Sequence, residues 1–104
     1  MDVLKESQLL GAWNQRRLRI FINRLEYGTL SPVNGRFQQK ERRKSPIYMS
    51  HLLSTAETCI DDNRDIIFTI YDDKTAAVRM ERFRFESYAE VREVSEVLAT
   101  LKVE

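Results

Sequence analysis

The chain has 104 residues, of which 42% are hydrophobic, so it is long enough for one domain with a single core and too apolar to stay disordered. No run approaches the roughly 20 apolar residues of a membrane-spanning helix, and a single cysteine excludes an internal disulfide bond. The formal net charge is +1, but residues 1–52 hold ten Lys/Arg and four Asp/Glu, net +6, whereas residues 53–104 hold seven and twelve, net −5.

The N-terminal third of the chain predicts two strands. Residues 1–10 fit neither the helical nor the strand period, and Asn14-Gln15 is typical of a tight turn. Residues 16–23 alternate between apolar and polar side chains, with Ile22 on the apolar face, which predicts a half-buried strand. After a turn, residues 25–30 continue as a second strand.

Residues 31–44 contain a proline, an Asn-Gly pair and five basic residues, a composition typical of an exposed loop. A loop of this length is usually functional or mobile. We therefore predict one domain over residues 1–104 that carries a long basic loop at residues 31–44.

The middle of the chain predicts three further strands. Residues 47–51 alternate, with His51 on the apolar face, and residues 52–59 include two threonines, which favour β structure. Residues 61–64 form a cluster typical of a turn, and residues 65–72 show the clearest alternation in the chain. Three side chains of this last strand are predicted to face the core: Ile66, Phe68 and Ile70.

The following strand changes its pattern partway along. Val78 and Met80 alternate on one face, but Phe83 and Phe85 fall on the opposite parity. Because one extra residue shifts the side-chain pattern to the other face, we predict a β-bulge near residues 81–82 that keeps all four side chains in the core.

The C-terminal segment predicts a helix that ends near residue 102. Ser87 and Glu90 form a capping box at its start. One apolar stripe then recurs at helical spacing and comprises Val91, Val94, Leu98 and Leu101. The whole chain is therefore predicted to be mostly β, with about seven strands closing into a barrel or sandwich that one C-terminal α-helix caps.

At several positions the sequence resembles members of the pleckstrin-homology superfold and its phosphotyrosine-binding relatives. In that family a glycine and a tryptophan precede a basic second strand, as Gly11 and Trp13 do here, and Leu-x-Tyr marks the third strand, as in residues 25–27. The late order of strand, turn, basic strand and helix in residues 66–101 also fits. The resemblance implies a seven-stranded barrel over the whole chain. The family's helical tryptophan is missing, and its place would be taken by Val94, Val97 or Leu98.

No residue pattern predicts catalysis, a metal site or a cofactor. His51 and Cys59 could form a base–nucleophile pair, but nothing around Cys59 predicts an activated thiol, so we interpret them as a strand histidine and a packed thiol. Asp61, Asp62 and Asp65 lack calcium-loop spacing and are interpreted as solvated turn carboxylates. The chain also lacks both glycine-rich phosphate-binding motifs. We expect a protein that is not an enzyme.

One charged set forms a candidate anion or phosphoinositide site, because basic residues of the second strand and the long loop could meet at one rim. The alternative is a solvated strand face and a loop kept soluble by its charge. The family's lipid signature, a lysine followed by basic-x-Arg-x-hydrophobic, would fall on Lys5, Arg17, Arg19 and Phe21. The complete set is Lys5, Arg16, Arg17, Arg19, Lys40, Arg42, Arg43 and Lys44.

These expectations favour a binding or adaptor module of a larger scaffold, cytoskeletal or trafficking protein. The resemblance implies that a protein or peptide docks between the fifth strand, near residues 53–59, and the helix. The alternative partner is an anionic membrane, and a third possibility is self-association through an exposed strand edge. Nucleic acid is disfavoured, because Phe37 is the only aromatic residue near the basic segment 40–44. Without a signal-peptide pattern or disulfide, we expect a cytoplasmic protein, in part peripheral to membrane or cytoskeleton.

Overall fold

The computed structural model describes residues 1–7, 11–39, 46–58 and 64–101. These residues form a mostly β domain with one C-terminal helix, as the sequence predicts. A one-turn 3₁₀ helix, Met49–His51, takes the place of the second half of the strand predicted over residues 47–51. The strands and the helix are β1 (Asp2–Glu6), β2 (Trp13–Ile20), β3 (Arg24–Leu30), β4 (Phe37–Gln38), β5 (Ile47–Tyr48), β6 (Leu52–Thr58), β7 (Asp65–Asp72), β8 (Ala77–Arg84) and α1 (Tyr88–Leu101).

All strand pairs are antiparallel and belong to one sheet in the order β4-β3-β2-β1-β8-β7-β6, with β5 added beside β3. Within the described residues no pairing joins β4 to β6, so the sheet is open rather than closed into a barrel. The strands of the basic half of the chain, β1 to β5, are contiguous, and those of the acidic half, β6 to β8, are contiguous beside them. The two halves meet at the β1–β8 pair.

The inner face of the sheet surrounds a single core. The ring of Phe83 in β8 packs edge-on against Tyr27 of β3 and Phe68 of β7, with centroids 5.3 Å apart in both pairs. Because β3 and β7 lie far apart in the strand order, the sheet must curl for their rings to meet on Phe83. Ile66, Phe68 and Ile70 are all buried, as the alternation predicts.

Helix α1 begins after Ser87, whose Oγ accepts a hydrogen bond from the backbone N–H of Glu90 at 3.2 Å. The Glu90 carboxylate accepts the backbone N–H of Glu86, rather than that of Ser87 as in a capping box. Val94 and Leu98 of the predicted stripe are buried against the core, with Val91 beside them.

The prediction for the N-terminal third is wrong at two points. Asn14 and Gln15 are not a turn but lie in β2, opposite Lys5 and Leu4 of β1. Ile22 is not in the core but 81% exposed, because β2 ends at residue 20 and the backbone N–H of Phe21 closes a tight turn to the next strand.

The predicted bulge in β8 is also wrong. The β7–β8 register runs without a shift from the Asp65–Arg84 pair to the Asp72–Ala77 pair, so Val78 and Met80 face outward. The charged residues that follow them, Arg79 and Glu81, face inward instead. Glu81 is buried and lies 3.2 Å from the ammonium group of Lys5, which offsets the cost of burying both charges. The structure has its irregularity in β6, between residues 52 and 54.

The predicted loop 31–44 is interrupted by a strand, since residues 37–38 form β4 and pair with residues 29–30 of β3. The two strands approach so closely that a Cβ at Gly28 would lie 1.9 Å from the carbonyl oxygen of Gln38. Glycine is therefore required at this position. Residues 40–44 lie outside the described residues.

Candidate functional site

The first candidate surface is the groove between β6 and α1. Strand β6 is the last strand of the sheet, and its residues 53–57 are exposed. Thr55 pairs with Phe68, and Glu57 pairs with Ile66. The side chains of Thr55 and Glu57 therefore lie on the core-side face of the strand, which faces the helix. Glu57 lies 3.7 Å from Arg92 of α1, which places the helix directly beside this edge.

The groove combines backbone and side-chain groups that can bind a polar ligand. An edge strand presents the N–H and C=O groups of every second residue outward, because its neighbour pairs only one side. Ser95 of α1 lies near Arg92 along the helix, and its Oγ is buried without a hydrogen-bond partner among the described residues. An extended peptide beside β6 could therefore pair with the backbone and contact α1 through its side chains.

The second candidate surface is an arginine-lined cavity of about 690 Å³. Four arginines contribute to its lining: Arg16 and Arg17 of β2, Arg64 before β7 and Arg84 at the end of β8. Two carboxylates are also present, and the Arg17 guanidinium lies 2.9 Å from one of them, that of Asp2. Strand pairing brings these arginines together from both halves of the chain, and their excess of positive charge fits an anion.

The predicted basic set is only partly brought together. Arg16 and Arg17 line the cavity, but Lys5 points into the core, where its ammonium group lies 3.2 Å from Glu81. Arg19 donates a hydrogen bond to Glu26 at 2.6 Å instead of facing the cavity. Four further members, Lys40, Arg42, Arg43 and Lys44, lie outside the described residues, as does Cys59.

A cluster on the outer face of the sheet was not predicted. The buried carboxylate of Asp65 accepts hydrogen bonds from Arg82 at 2.6 Å and from Arg84 at 2.8 Å, and Arg84 stacks on the ring of Trp13 at 4.0 Å. Trp13 is half-buried under this guanidinium. The sequence signal was the Arg-x-Arg pattern of β8, but its partner became visible only with the register of β7.

Two outer-face carboxylates have lowered pKa values. Burial alone would raise the pKa of Asp65, but the hydrogen bonds from Arg84 and Arg82 outweigh it and hold the pKa below its usual value. The pKa of Glu26 is lowered in the same way, with burial opposed by hydrogen bonds from Arg24 and Arg19. Both carboxylates are therefore ionised anchors for surface arginines.

A smaller cavity of about 220 Å³ lies beside the β7–β8 turn and is lined by Tyr48, His51 and Tyr71. Both tyrosine rings contact the imidazole edge-on, and its Nε2 atom lies 3.9 Å from a carboxylate oxygen of Asp73. Asp72 and Arg79 line the same cavity, and the Arg79 Nε atom lies 4.0 Å from a carboxylate oxygen of Asp72. The mixture of charges gives this cavity no preference between an anion and a cation.

A scan of the sequence against protein-family models finds no match, and a search of the curated proteins finds none either. In the described part of the chain, α1 is neither long nor apolar enough to cross a membrane.

Proposed function

We propose that this chain is a non-enzymatic interaction module with a pleckstrin-homology-like fold, and that it binds an extended peptide by strand addition to β6. The single observation that carries the proposal is the position of β6, an exposed last strand of the sheet with α1 alongside it. The mostly β sheet with its C-terminal helix is compatible with this fold. Such a module would serve a larger scaffold, cytoskeletal or trafficking protein.

Strand addition uses the chemistry that β6 offers. The peptide backbone pairs with the outward N–H and C=O groups of the strand, which supplies affinity, and its alternate side chains enter the groove, which supplies specificity. Glu57 and Arg92 place a negative and a positive charge at the same position of the groove. Because this ion pair is exposed, a charged peptide residue at that position can replace one of its two members.

Two neighbouring residues of β6 give a matched test. Peptides selected from a random library on the whole chain are titrated against Thr55→Lys, which places a long cation on the groove side, and Ser54→Lys, which places it on the opposite face. We expect Thr55→Lys to weaken binding at least tenfold, about 1.4 kcal/mol, and Ser54→Lys to change it little. Equal effects of the two variants, or none, would contradict the proposal.

A second candidate function is supported by the arginine-lined cavity, because a site lined by four arginines suits the phosphates of an anionic membrane. Co-sedimentation with neutral and with phosphoinositide-containing vesicles tests it. We expect the double variant Arg16→Ala/Arg17→Ala to lose the anionic-vesicle binding of the native chain, and Arg92→Ala, an exposed arginine outside this cavity, to keep it. Absence of vesicle binding by the native chain would remove this candidate and leave the first unaffected.

A further inference from the structure

Three aromatic rings from three elements meet beside the β7–β8 turn. Tyr48 ends β5, His51 belongs to the 3₁₀ helix, and Tyr71 lies near the end of β7. The ring centroid of His51 is 5.9 Å from that of Tyr48 and 6.4 Å from that of Tyr71. All three residues line the cavity of about 220 Å³. The fold therefore collects three rings around one small space.

The three rings stand as walls rather than as a stack. The ring planes of His51 and Tyr48 are inclined by 85°, and those of His51 and Tyr71 by 78°. An edge-on contact covers a face of only one ring, whereas stacking covers a face of both. Tyr48 and Tyr71 are 45% and 39% exposed, so both keep open ring surface. The electron-rich faces of such rings attract a cation, and rings of different orientation can contact the same cation.

The charged groups at this cavity place a carboxylate beside the rings. A carboxylate oxygen of Asp73 lies 3.9 Å from the Nε2 atom of His51, and the Asp73 side chain is 62% exposed. The guanidinium group of Arg79 is engaged by two other carboxylates, because it pairs with Glu81 and lies 4.0 Å from Asp72. Formal charge alone gives the cavity no preference, but the ring faces and Asp73 together favour a cation.

We propose that this cavity binds the trimethylammonium group of a methylated lysine in a partner protein. A primary ammonium group is strongly hydrated, and ring faces do not replace the hydrogen bonds that it would lose. A trimethylammonium group has no N–H to desolvate and carries its charge on an apolar surface, which suits the faces of Tyr48 and Tyr71. Lys74 also lines the cavity, but it is exposed, so water screens its charge.

The size and charge of the cavity favour a lysine side chain over a lipid headgroup. The cavity is smaller than the roughly 300–1,000 Å³ of pockets for drug-sized ligands, so it suits a single side-chain group. A choline headgroup carries a phosphate beside its quaternary nitrogen. That phosphate would approach the exposed carboxylate of Asp73, whereas the stem of a lysine is uncharged.

This proposal goes beyond both proposed functions and can fail separately from them. Thr55, Glu57 and Arg92 of the peptide groove lie outside the described lining of this cavity. Arg84 of the arginine-lined cavity lies at the opposite end of the β7–β8 hairpin from the turn. We therefore expect Thr55→Lys to leave the binding of a trimethylammonium group unchanged.

Nuclear magnetic resonance titration of the whole chain with three matched probes tests the recognition of charge. The probes are N-acetyl-lysine methylamide with a trimethylated side chain, its unmethylated form, and a neutral analogue in which carbon replaces the quaternary nitrogen. The pH is 8, where an ordinary histidine is neutral. We expect the trimethylated probe to shift the ring protons of Tyr48 and Tyr71, and the other two probes to bind at least fivefold more weakly.

Two results of this titration would overturn the proposal. Equal binding of the neutral analogue would show that the cavity selects shape rather than charge. Absence of binding by the trimethylated probe up to about 20 mM would show that the rings do not form a cation site.

Substitutions of single tyrosines locate the binding. We expect Tyr48→Leu and Tyr71→Leu each to raise the dissociation constant of the trimethylated probe at least fivefold, because each removes one ring. Tyr48→Phe and Tyr71→Phe keep the rings and should retain binding, which separates loss of the site from loss of the fold. The control Tyr88→Leu removes a tyrosine that is 49% exposed outside the described lining, and should change nothing. Equal effects of Tyr88→Leu and Tyr48→Leu would overturn the assignment.

Phosphocholine as a fourth probe separates the lipid headgroup from the lysine side chain. We expect it to bind more weakly than the trimethylated lysine probe, because its phosphate is repelled by Asp73. Tighter binding of phosphocholine would overturn the assignment to a protein partner.

Discussion

Asp65 and Glu26 are buried carboxylates that each accept hydrogen bonds from two arginines on the outer face of the sheet. Each carboxylate is desolvated, so its charged form is stabilised mainly by the guanidinium groups that contact it. The arginines, in contrast, keep part of their surface in water and can be solvated without the carboxylate. Removing the carboxylate should therefore lower the free energy of unfolding less than removing both guanidinium groups would.

Replacement of Asp65 by Asn tests this anchoring. The amide keeps the shape of the side chain but loses the charge-assisted hydrogen bonds from Arg82 and Arg84. We expect Asp65→Asn to lower the free energy of unfolding by about 2–3 kcal/mol, measured by urea denaturation. The matched control is Asp73→Asn, because that carboxylate is 62% exposed and should stay within about 0.5 kcal/mol. Equal losses in the two variants would contradict the role of Asp65.

The lowered pKa values of Asp65 and Glu26 predict acid sensitivity. The unfolded chain binds protons to these carboxylates at higher pH than the folded protein does, so their contribution to stability is complete above the unfolded pKa, near pH 4. It is lost as the pH falls through the lowered folded values. We expect the urea concentration at the unfolding midpoint to decrease as the pH is lowered below 4. The decrease should be less steep in Asp65→Asn. Identical pH profiles for the variant and the native chain would contradict the assignment for Asp65.

The buried pair of Lys5 and Glu81 predicts non-additive substitutions. Glu81→Leu alone leaves the Lys5 ammonium group buried beside an apolar side chain, and we expect a loss of about 3–5 kcal/mol in the free energy of unfolding. Adding Lys5→Met removes the stranded charge, so the double variant should be more stable than Glu81→Leu. A double variant less stable than the single one would show that the pair does not interact as the 3.2 Å separation indicates.

At the scale of the element, the local apolar pattern predicts β7 and α1 but not which side chains of β8 face the core. The alternation of residues 65–72 and the helical stripe of residues 91–98 were predicted correctly, because each depends on one continuous apolar face. The bulge in β8 was predicted wrongly, because it assumed that Val78 and Met80 belong to the core. Glu81 takes the inward place instead because its carboxylate pairs with Lys5, which lies far away in the sequence, and with Arg79 of the same strand.

The unbroken register of β8 predicts opposite outcomes for neighbouring apolar residues. Met80→Lys should change the free energy of unfolding by no more than about 0.5 kcal/mol, because the side chain is on the outer face. Phe83→Ala should cost about 3–5 kcal/mol, because it empties the centre of the ring cluster with Tyr27 and Phe68. A large loss in Met80→Lys would support the bulged strand instead.

Candidate sites were harder to predict than strands, because their residues meet only after the strands pair. The arginine-lined cavity joins Arg16 and Arg17 with Arg64 and Arg84, and no spacing in the sequence indicates that combination. The sequence also predicted an outward Lys5, since it could not show the buried carboxylate that draws this side chain inward. The resemblance implied a groove between residues 53–59 and the helix, and Glu57 of β6 lies 3.7 Å from Arg92 of α1.

At the scale of the whole molecule, the uneven charge of the sequence becomes a division of the sheet. The basic half forms β1 to β5, and the acidic half forms β6 to β8 and α1. The described pairing between the halves is short, at Leu4–Arg84 and Lys5–Phe83, and the Lys5–Glu81 pair reinforces it from inside. The two proposed binding functions divide in the same way, with most of the arginine-lined cavity from the basic half and the peptide groove wholly from the acidic half.

The central claim is that the outer edge of β6 is the peptide-binding element. Amide hydrogen exchange and cross-strand nuclear Overhauser effects, measured with a library-selected peptide bound, test it most directly. The account predicts newly protected amides in residues 54–58 and proton contacts between the peptide backbone and this strand, with β4 at the opposite end of the sheet unchanged. Unchanged exchange in β6, with the peptide contacts located at β4 or at the arginine-lined cavity, would contradict it.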